Sequence, residues 1–306
     1  AGELDAPRSR FLLVSVGERH TCGITVDGSI SCFGQSDRGQ LNVPVGTFTD
    51  LSAGAHHACA LTEAGTILCW GAGTTNQDCS TSNYACGQAI PPSGSEFKQV
   101  SAGDFHTCAL DTSGSVTCWG AGQHADANSR VHQGQSSPPT EGEYVMLDSY
   151  GNHTCALRDD GEITCWGLYV RTPRPGPFLA MATGSEHSCA ISTDNILYCW
   201  GLNGNGQMDI PSGAIKDIAV GRAHTCALRL TGELVCAGLN TVGQAQVSQE
   251  RFTKFAAGDI HTCGLRHDGV VTCWGQEFNG ILNAPSERFV DVVAAGSHNC
   301  AKRSDN

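Results

Sequence analysis

With 306 residues, of which 40% are hydrophobic and 16% charged, the chain is too apolar and too sparsely charged to be disordered. It holds no apolar run of the ~18 residues that a membrane-spanning helix needs. Lys and Arg total 18 against 30 Asp and Glu, a formal net charge of −12; that average field repels a phosphate backbone and no local basic patch offsets it, so no nucleic-acid partner is expected.

The chain opens with Gly2-Glu3-Leu4-Asp5-Ala6-Pro7-Arg8-Ser9-Arg10-Phe11, which matches Gly280-Ile281-Leu282-Asn283-Ala284-Pro285-Ser286-Glu287-Arg288-Phe289. The sequence is therefore expected to begin inside a repeat. One unit then recurs eight times, starting at Phe11, Phe48, Phe97, Tyr144, Phe178, Ile215, Phe252 and Phe289, with a commonest spacing of 37 residues. A period of this size indicates a solenoid or a propeller. Each copy reads as a short alternating strand (VSAG in copy three), a second strand (HTCAL), a turn with Gly, and a third strand (SVTCWG); helical periodicity is absent. Copy two carries a long insertion, AGTTNQDCSTSNYACGQAIPPSG, with an extra pair, Cys79 and Cys86. Copy three carries another, AGQHADANSRVHQGQSSPPTEGE, and copy four is shortened to LYVRTPRPGP, where Arg171 and Arg174 make a small basic spot. Copies five to seven are regular. The eighth stops at AKRSDN, before its third strand, which leaves Cys300 without a downstream mate and marks the chain as an expected segment of a longer polypeptide.

The 17 cysteines are regularly placed. Seven pairs flank the predicted turns: Cys22 and Cys32, Cys59 and Cys69, Cys108 and Cys118, Cys155 and Cys165, Cys189 and Cys199, Cys226 and Cys236, and Cys263 and Cys273. Zinc is the competing reading, but zinc sites show C-x₂₋₄-C knuckles grouped in fours. Cys108 and Cys118 are symmetric about Ser113, so in a hairpin centred there they face each other at ~4.5 Å between Cα atoms, close enough to bridge. Each bridge would staple one hairpin and contribute about 2–3 kcal/mol in the chain-entropy model. Such an array persists in an oxidising compartment, which points to an extracellular or cell-surface protein. AGELDAPRSRF has neither a basic n-region nor an apolar core, so a leader is expected to be removed or to lie outside this sequence.

The pattern A-G-x-x-H-T-C-A-L-x-x-x-G-x-V-x-C-W-G, followed by G-Q and then P-x-G-x-F, resembles the repeat of the regulator of chromosome condensation family. Within that superfamily it is most similar to secreted bacterial propellers, including the β-lactamase inhibitor protein II type. The resemblance implies an all-β chain, a single β-propeller domain over residues 1–306, with seven blades by precedent. The tally of first-Cys strands gives eight. It also implies a protein-binding role. The paired cysteines depart from the nuclear member and argue against an exchange factor for a small GTPase.

Eight histidines stand two residues before the first Cys: His20, His57, His106, His153, His187, His224, His261 and His298. A metal ring would need three or four ligands converging within ~2.0–2.3 Å, which dispersal around a propeller forbids. A buried hydrogen bond repeated to a neighbouring strand or blade is expected instead. Trp70, Trp119, Trp166, Trp200 and Trp274, with Phe33 and Ala237 in their place in two copies, are read as a wedge between blades. The following Gly marks a special backbone angle or a close approach. No H-E-x-x-H, G-x-S-x-G or P-loop is present, and His56 and Asp104 are isolated variations, so neither an enzyme nor a cofactor is expected. Asn152-His153-Thr154 is an N-x-T sequon, but its place in a strand disfavours glycosylation. Insertions in repeat proteins map to loops on one face, often the binding face. The two insertions follow each other in adjacent copies and should sit side by side, with the Cys79–Cys86 pair locking the first. Tyr84, His124, Arg130 and His132 are the candidate exposed anchors. The sequence thus reads as a non-catalytic extracellular propeller that binds a protein partner or self-assembles, with a soluble inhibitor of the β-lactamase inhibitor protein II type as the alternative.

Overall fold

The computed structural model describes residues 9–74, 85–94, 96–122, 132–170, 175–278 and 280–303. Cys79, Tyr84, His124, Arg130, Arg171 and Arg174 lie outside them. The chain divides into two compact units, residues 1–170 and 171–306.

The first unit holds four antiparallel sheets, each with its three strands in chain order. They are β1 (Phe11–Val16), β2 (His20–Thr25) and β3 (Ile30–Gly34); β4 (Phe48–Ala53), β5 (His57–Thr62) and β6 (Ile67–Gly71); β7 (Phe97–Ala102), β8 (His106–Asp111) and β9 (Val116–Gly120); and β10 (Tyr144–Tyr150), β11 (His153–Arg158) and β12 (Ile163–Gly167). The second unit repeats the plan with β13 (Phe178–Thr183), β14 (His187–Ser192) and β15 (Leu197–Gly201); β16 (Ile215–Val220), β17 (His224–Arg229) and β18 (Leu234–Gly238); and β19 (Phe252–Ala257), β20 (His261–Arg266) and β21 (Val271–Gly275). Its last sheet has two strands, β22 (Phe289–Ala295) and β23 (His298–Arg303). Eight sheets are therefore present among the described residues, the number of first-Cys strands and one more than family precedent implies.

The cysteine spacing acts as the sequence requires. In seven sheets the two cysteines are direct register partners across the second and third strands, such as Cys59 opposite Cys69. All seven disulfides are formed, with Cα–Cα distances of 4.0 to 4.1 Å. Each sits in the middle strand, whose residues are almost wholly buried: HACAL of β5 and HTCAL of β8 and β11 lie entirely inside.

The first strands carry apolar residues with the spacing F-x-x-L-x-A, which a strict two-residue period cannot bury on one side. Every first strand resolves this with a bulge after its first residue, as between Phe48 and Asp50 in β4. The register shift recurs in all eight sheets. The extra residue (Leu12, Thr49, Lys98, Val145, Leu179, Lys216, Thr253 or Val290) turns to solvent. Phe48, Leu51 and Ala53 then share one core cluster with Ile24 and Trp70. The outer edges of these strands are capped by side chains from the preceding sheet. The Val100 amide donates to Asp50 Oδ2 at 2.9 Å, the Ala102 amide to Ser52 Oγ at 2.9 Å and the Ala53 amide to Ser15 Oγ at 2.9 Å. Edge groups that would otherwise recruit another strand are thereby satisfied. Burial raises the Asp50 carboxyl above its ordinary value, against the two amides that hold it.

Candidate functional site

Five of the seven connections from a third strand to the next sheet turn through Gly-Gln. Gln40, Gln88, Gln135, Gln207 and Gln244 are 0–1% exposed. Their side-chain oxygens close the turn by accepting the amide two residues back, from Arg38, Cys86, Gln133, Asn205 and Val242. Four of these glutamines present their main-chain carbonyls to the tryptophan of the following sheet, Gln207 being followed by Ala237 at that position: Trp70 Nε1 donates to Gln40, Trp119 to Gln88 and Trp166 to Gln135 at 2.8 to 2.9 Å, and Trp274 to Gln244 at 3.1 Å. Trp119 also packs on Cys59, Leu61 and Ile67 of the preceding sheet, so the tryptophans are the wedges the sequence implies. Copy four lacks Gly-Gln, and the buried Nε1 of Trp200 has no acceptor among the described residues.

The histidines complete this frame. His57 Nε2 hydrogen-bonds Thr107 Oγ1 of the next sheet at 2.8 Å, and His106 does the same to Thr154 at 2.7 Å. In the second unit His187 pairs with Thr225 at 2.6 Å and His224 with Thr262 at 2.9 Å. Thr262 Oγ1 donates its one proton to the Gln244 carbonyl at 2.9 Å, so His224 Nε2 must carry the proton of the His–Thr bond. Burial lowers these imidazoles far below the ordinary 6.5: His57 and His106 to about 3, His153, His224 and His261 to about 4, with neighbouring histidines adding repulsion at His57, His106 and His261. They are neutral structural links. Among the described residues no group of three or more His, Cys, Asp or Glu is arranged to hold a metal ion. Gly71 follows the wedge at φ 96°, and a Cβ there would lie 2.6 Å from the His56 carbonyl oxygen, so both expected reasons for glycine apply.

The two insertions rise from closed bases in the first unit. The Ala89 amide donates to the Gly73 carbonyl under the first. Under the second, the Ser136 amide donates to the Gly122 carbonyl, Ser136 Oγ to the Ala121 carbonyl at 2.6 Å, and the Gly122 amide to His132 Nδ1 at 3.0 Å. Cys86 and Ala121 are buried together, with Phe105 packed on them. The feet of the two insertions therefore touch, as their adjacency in sequence requires. Cys86 is disulfide-bonded. His132 is half-buried and ties the base of its loop instead of standing out as an exposed anchor.

A charged cluster at the turns before the middle strands of the first two sheets escaped the sequence reading. His56, in the turn before β5, lies 3.3 Å from Glu18 of the preceding sheet, and Glu18 is 4.0 Å from Arg19. Desolvation lowers the His56 value despite the pull of Glu18. Asp37 is held below the usual carboxylate range by the Gln40 amide, with help from Arg38 and His56. The signal was available in the two variable positions of the A-G-x-x-H turn, which read Glu-Arg in copy one, Ala-His in copy two and Asp-Phe in copy three.

Three-stranded antiparallel sheets repeated in series, four of them wedged on the preceding sheet by Trp70, Trp119, Trp166 and Trp274, define a β-propeller built from sequence repeats. A family model described as the regulator of chromosome condensation (RCC1) repeat matches residues 12–40, 48–77, 97–125, 147–168, 178–207 and 215–244, more than half of the chain, and the chain belongs to that family. The solved structures it resembles include the entire ectodomain of the Physcomitrella patens receptor kinase CR4, at TM-score 0.64 and 22% identity over 87% of this chain and 73% of that one. The CRINKLY WD40 ectodomain of the Arabidopsis thaliana receptor kinase ACR4 matches at 0.61 and 24% over 88% and 97%. Prp20p from Saccharomyces cerevisiae, described with its binding properties to Gsp1p and histones, matches at 0.61 and 18% over 85% and 83%. At these identities the likeness is one of fold. No curated protein sequence matches significantly.

Proposed function

We propose that this chain is a non-catalytic, extracellular protein-binding or assembly propeller whose partner engages the insertions at 75–84 and 123–131. The observation that carries this reading is the shared, buried footing of the two insertions, where Cys86, Ala121 and Phe105 pack together on sheets stapled by disulfides. A rigid base lowers the ordering cost of recognition. The glutamine turns and wedge tryptophans keep that base in place whatever the loops contain. Seven disulfides support an oxidising compartment, and two of the structural relatives are receptor ectodomains. The yeast relative described with Gsp1p and histones lends the general idea of protein binding, not those partners.

The test is retention of proteins from the source's extracellular fraction on the immobilised chain, compared with a variant in which both insertions are cut to the length of the connection after copy six. Circular dichroism must show the same β spectrum for both. The reading predicts a partner held by the parent and lost by the variant. Equal retention by the two, or none by either, contradicts it.

A further inference from the structure

In copy six the Gly-Gln turn that leads into the sheet is intact, but the wedge is missing. Ala237 stands in β18 where Trp70, Trp119, Trp166 and Trp274 stand in their sheets, and it is left half-buried. The wall that receives a wedge is nevertheless retained. Trp70 packs with Phe48, Ile30, Cys32 and Val43; the residues at those repeat positions before β18 are Ile215, Leu197, Cys199 and Ile210. Ile215, Leu197 and Ile210 join Ile191, Ile218, Ala227 and Val235 in an apolar cluster between the β13–β15 and β16–β18 sheets, and among the described residues that cluster holds no aromatic ring. A cavity of about 420 Å³ opens against it, lined by Leu197, Cys199, Met208, Ile210 and Ile215. The exposed Asp194 and Ser212 also line it, so it is reached from solvent. Met208 directly follows Gln207. Gln207 is as buried as the other turn glutamines, and its main-chain carbonyl is the group that accepts an indole N–H at 2.8 to 3.1 Å in four other copies. Here Ala237 brings it no indole.

We propose that this cavity binds a small planar aromatic molecule of the indole class, which takes the place of the missing wedge and donates its N–H to the Gln207 carbonyl. The volume falls within the ~300–1,000 Å³ of ordinary small-molecule sites, and an apolar void of ~150 Å³ is enough to hold benzene. Two features select the chemistry. The aliphatic wall, built to receive an indole in the other copies, favours a flat hydrocarbon surface. The buried carbonyl favours a ring that carries a donor, because a buried acceptor without a partner costs free energy that a matching donor recovers. The occupant is a free molecule and not a tryptophan from a partner: the strand that delivers the wedge in the other copies is present here as β18, bearing only a methyl group at Ala237. All of these residues belong to the second unit. The site is independent of the loop-binding reading.

The probe is indole, titrated into the folded protein beside 1-methylindole, which keeps the ring and lacks the N–H. The proposal predicts saturable indole binding below ~1 mM, a raised melting temperature, and slowed amide exchange confined to residues 194–199, 207–215 and 234–238. 1-Methylindole should bind about 5-fold more weakly. Ala237→Trp supplies the wedge from within, so that variant should melt at a higher temperature than the parent and lose indole binding. The titration and exchange pattern of the parent decide the matter by themselves if the variant does not fold. No saturation up to ~1 mM, protection elsewhere, equal binding of 1-methylindole, or a folded Ala237→Trp protein that binds indole as the parent does overturns it.

Discussion

Acidification is expected to unfold this protein through its buried histidines. His57, His106, His153, His224 and His261 are at most 2% exposed, with folded values of about 3 to 4. In the unfolded chain each returns to ~6.5. Below that value the unfolded state binds more protons than the folded state, so stability must fall as the pH falls. Between pH 7 and pH 5 the loss is about 2 kcal/mol per histidine. For the five together it is on the order of 9 kcal/mol, comparable to the ~5–15 kcal/mol that holds a typical domain. Asp50 and Asp217, raised by burial, take up protons in the folded state before the unfolded chain does, and so oppose the decline. The assay is the guanidinium unfolding midpoint at constant ionic strength, without reductant, from pH 8 to pH 5. The midpoint should be level above pH 7.5 and drop steadily below pH 6.5. His106→Gln removes one linked site and should flatten that slope by about one fifth. A midpoint that holds or rises between pH 7 and pH 5 would refute the linkage.

Other expectations follow from the same frame. Replacing both Cys108 and Cys118 by Ser removes one ten-residue staple and should cost about 2–3 kcal/mol, read as a lower melting temperature with an unchanged β spectrum. Thr107→Val deletes the hydroxyl between His57 and the Gln88 carbonyl, leaves a buried imidazole N–H unmet, and should cost about 1–3 kcal/mol in denaturant unfolding. Trp119→Ala empties the wedge between two sheets and should cost about 3–5 kcal/mol; Trp119→Phe, which loses chiefly the bond to Gln88, should cost nearer 1 kcal/mol. Gly71→Ala meets both a positive φ and the His56 carbonyl, and should destabilise more than Gly204→Ala, where a Cβ meets nothing within 4 Å.

Much of the fold was legible because each copy repeats the same local physics. The Cys spacing fixed the hairpin register, the histidines were read as buried links, and the tryptophans as wedges; all three follow from residues near one another in sequence. The bulge was present in the F-x-x-L-x-A spacing but was passed over as simple alternation. The Gly-Gln turn looked like punctuation because its second task, offering a carbonyl to Trp119 or Trp166, joins residues 31 apart. The Glu18–His56 pair was hidden for the same reason: two variable turn positions in successive copies meet only after the sheets stack. Of the loop residues chosen as anchors, His132 belongs to the footing of its loop, a role set by a backbone amide that sequence alone does not locate.

The most direct measurement of the account is mass-spectrometric mapping of the unreduced, alkylated protein after proteolysis. It predicts that Cys22, Cys59, Cys108, Cys155, Cys189, Cys226 and Cys263 are each linked to the cysteine ten positions onward in the same repeat. Links between repeats, or alkylated thiols at those positions, would contradict the stapled-blade frame on which the pH response, the loop footing and the compartment all depend.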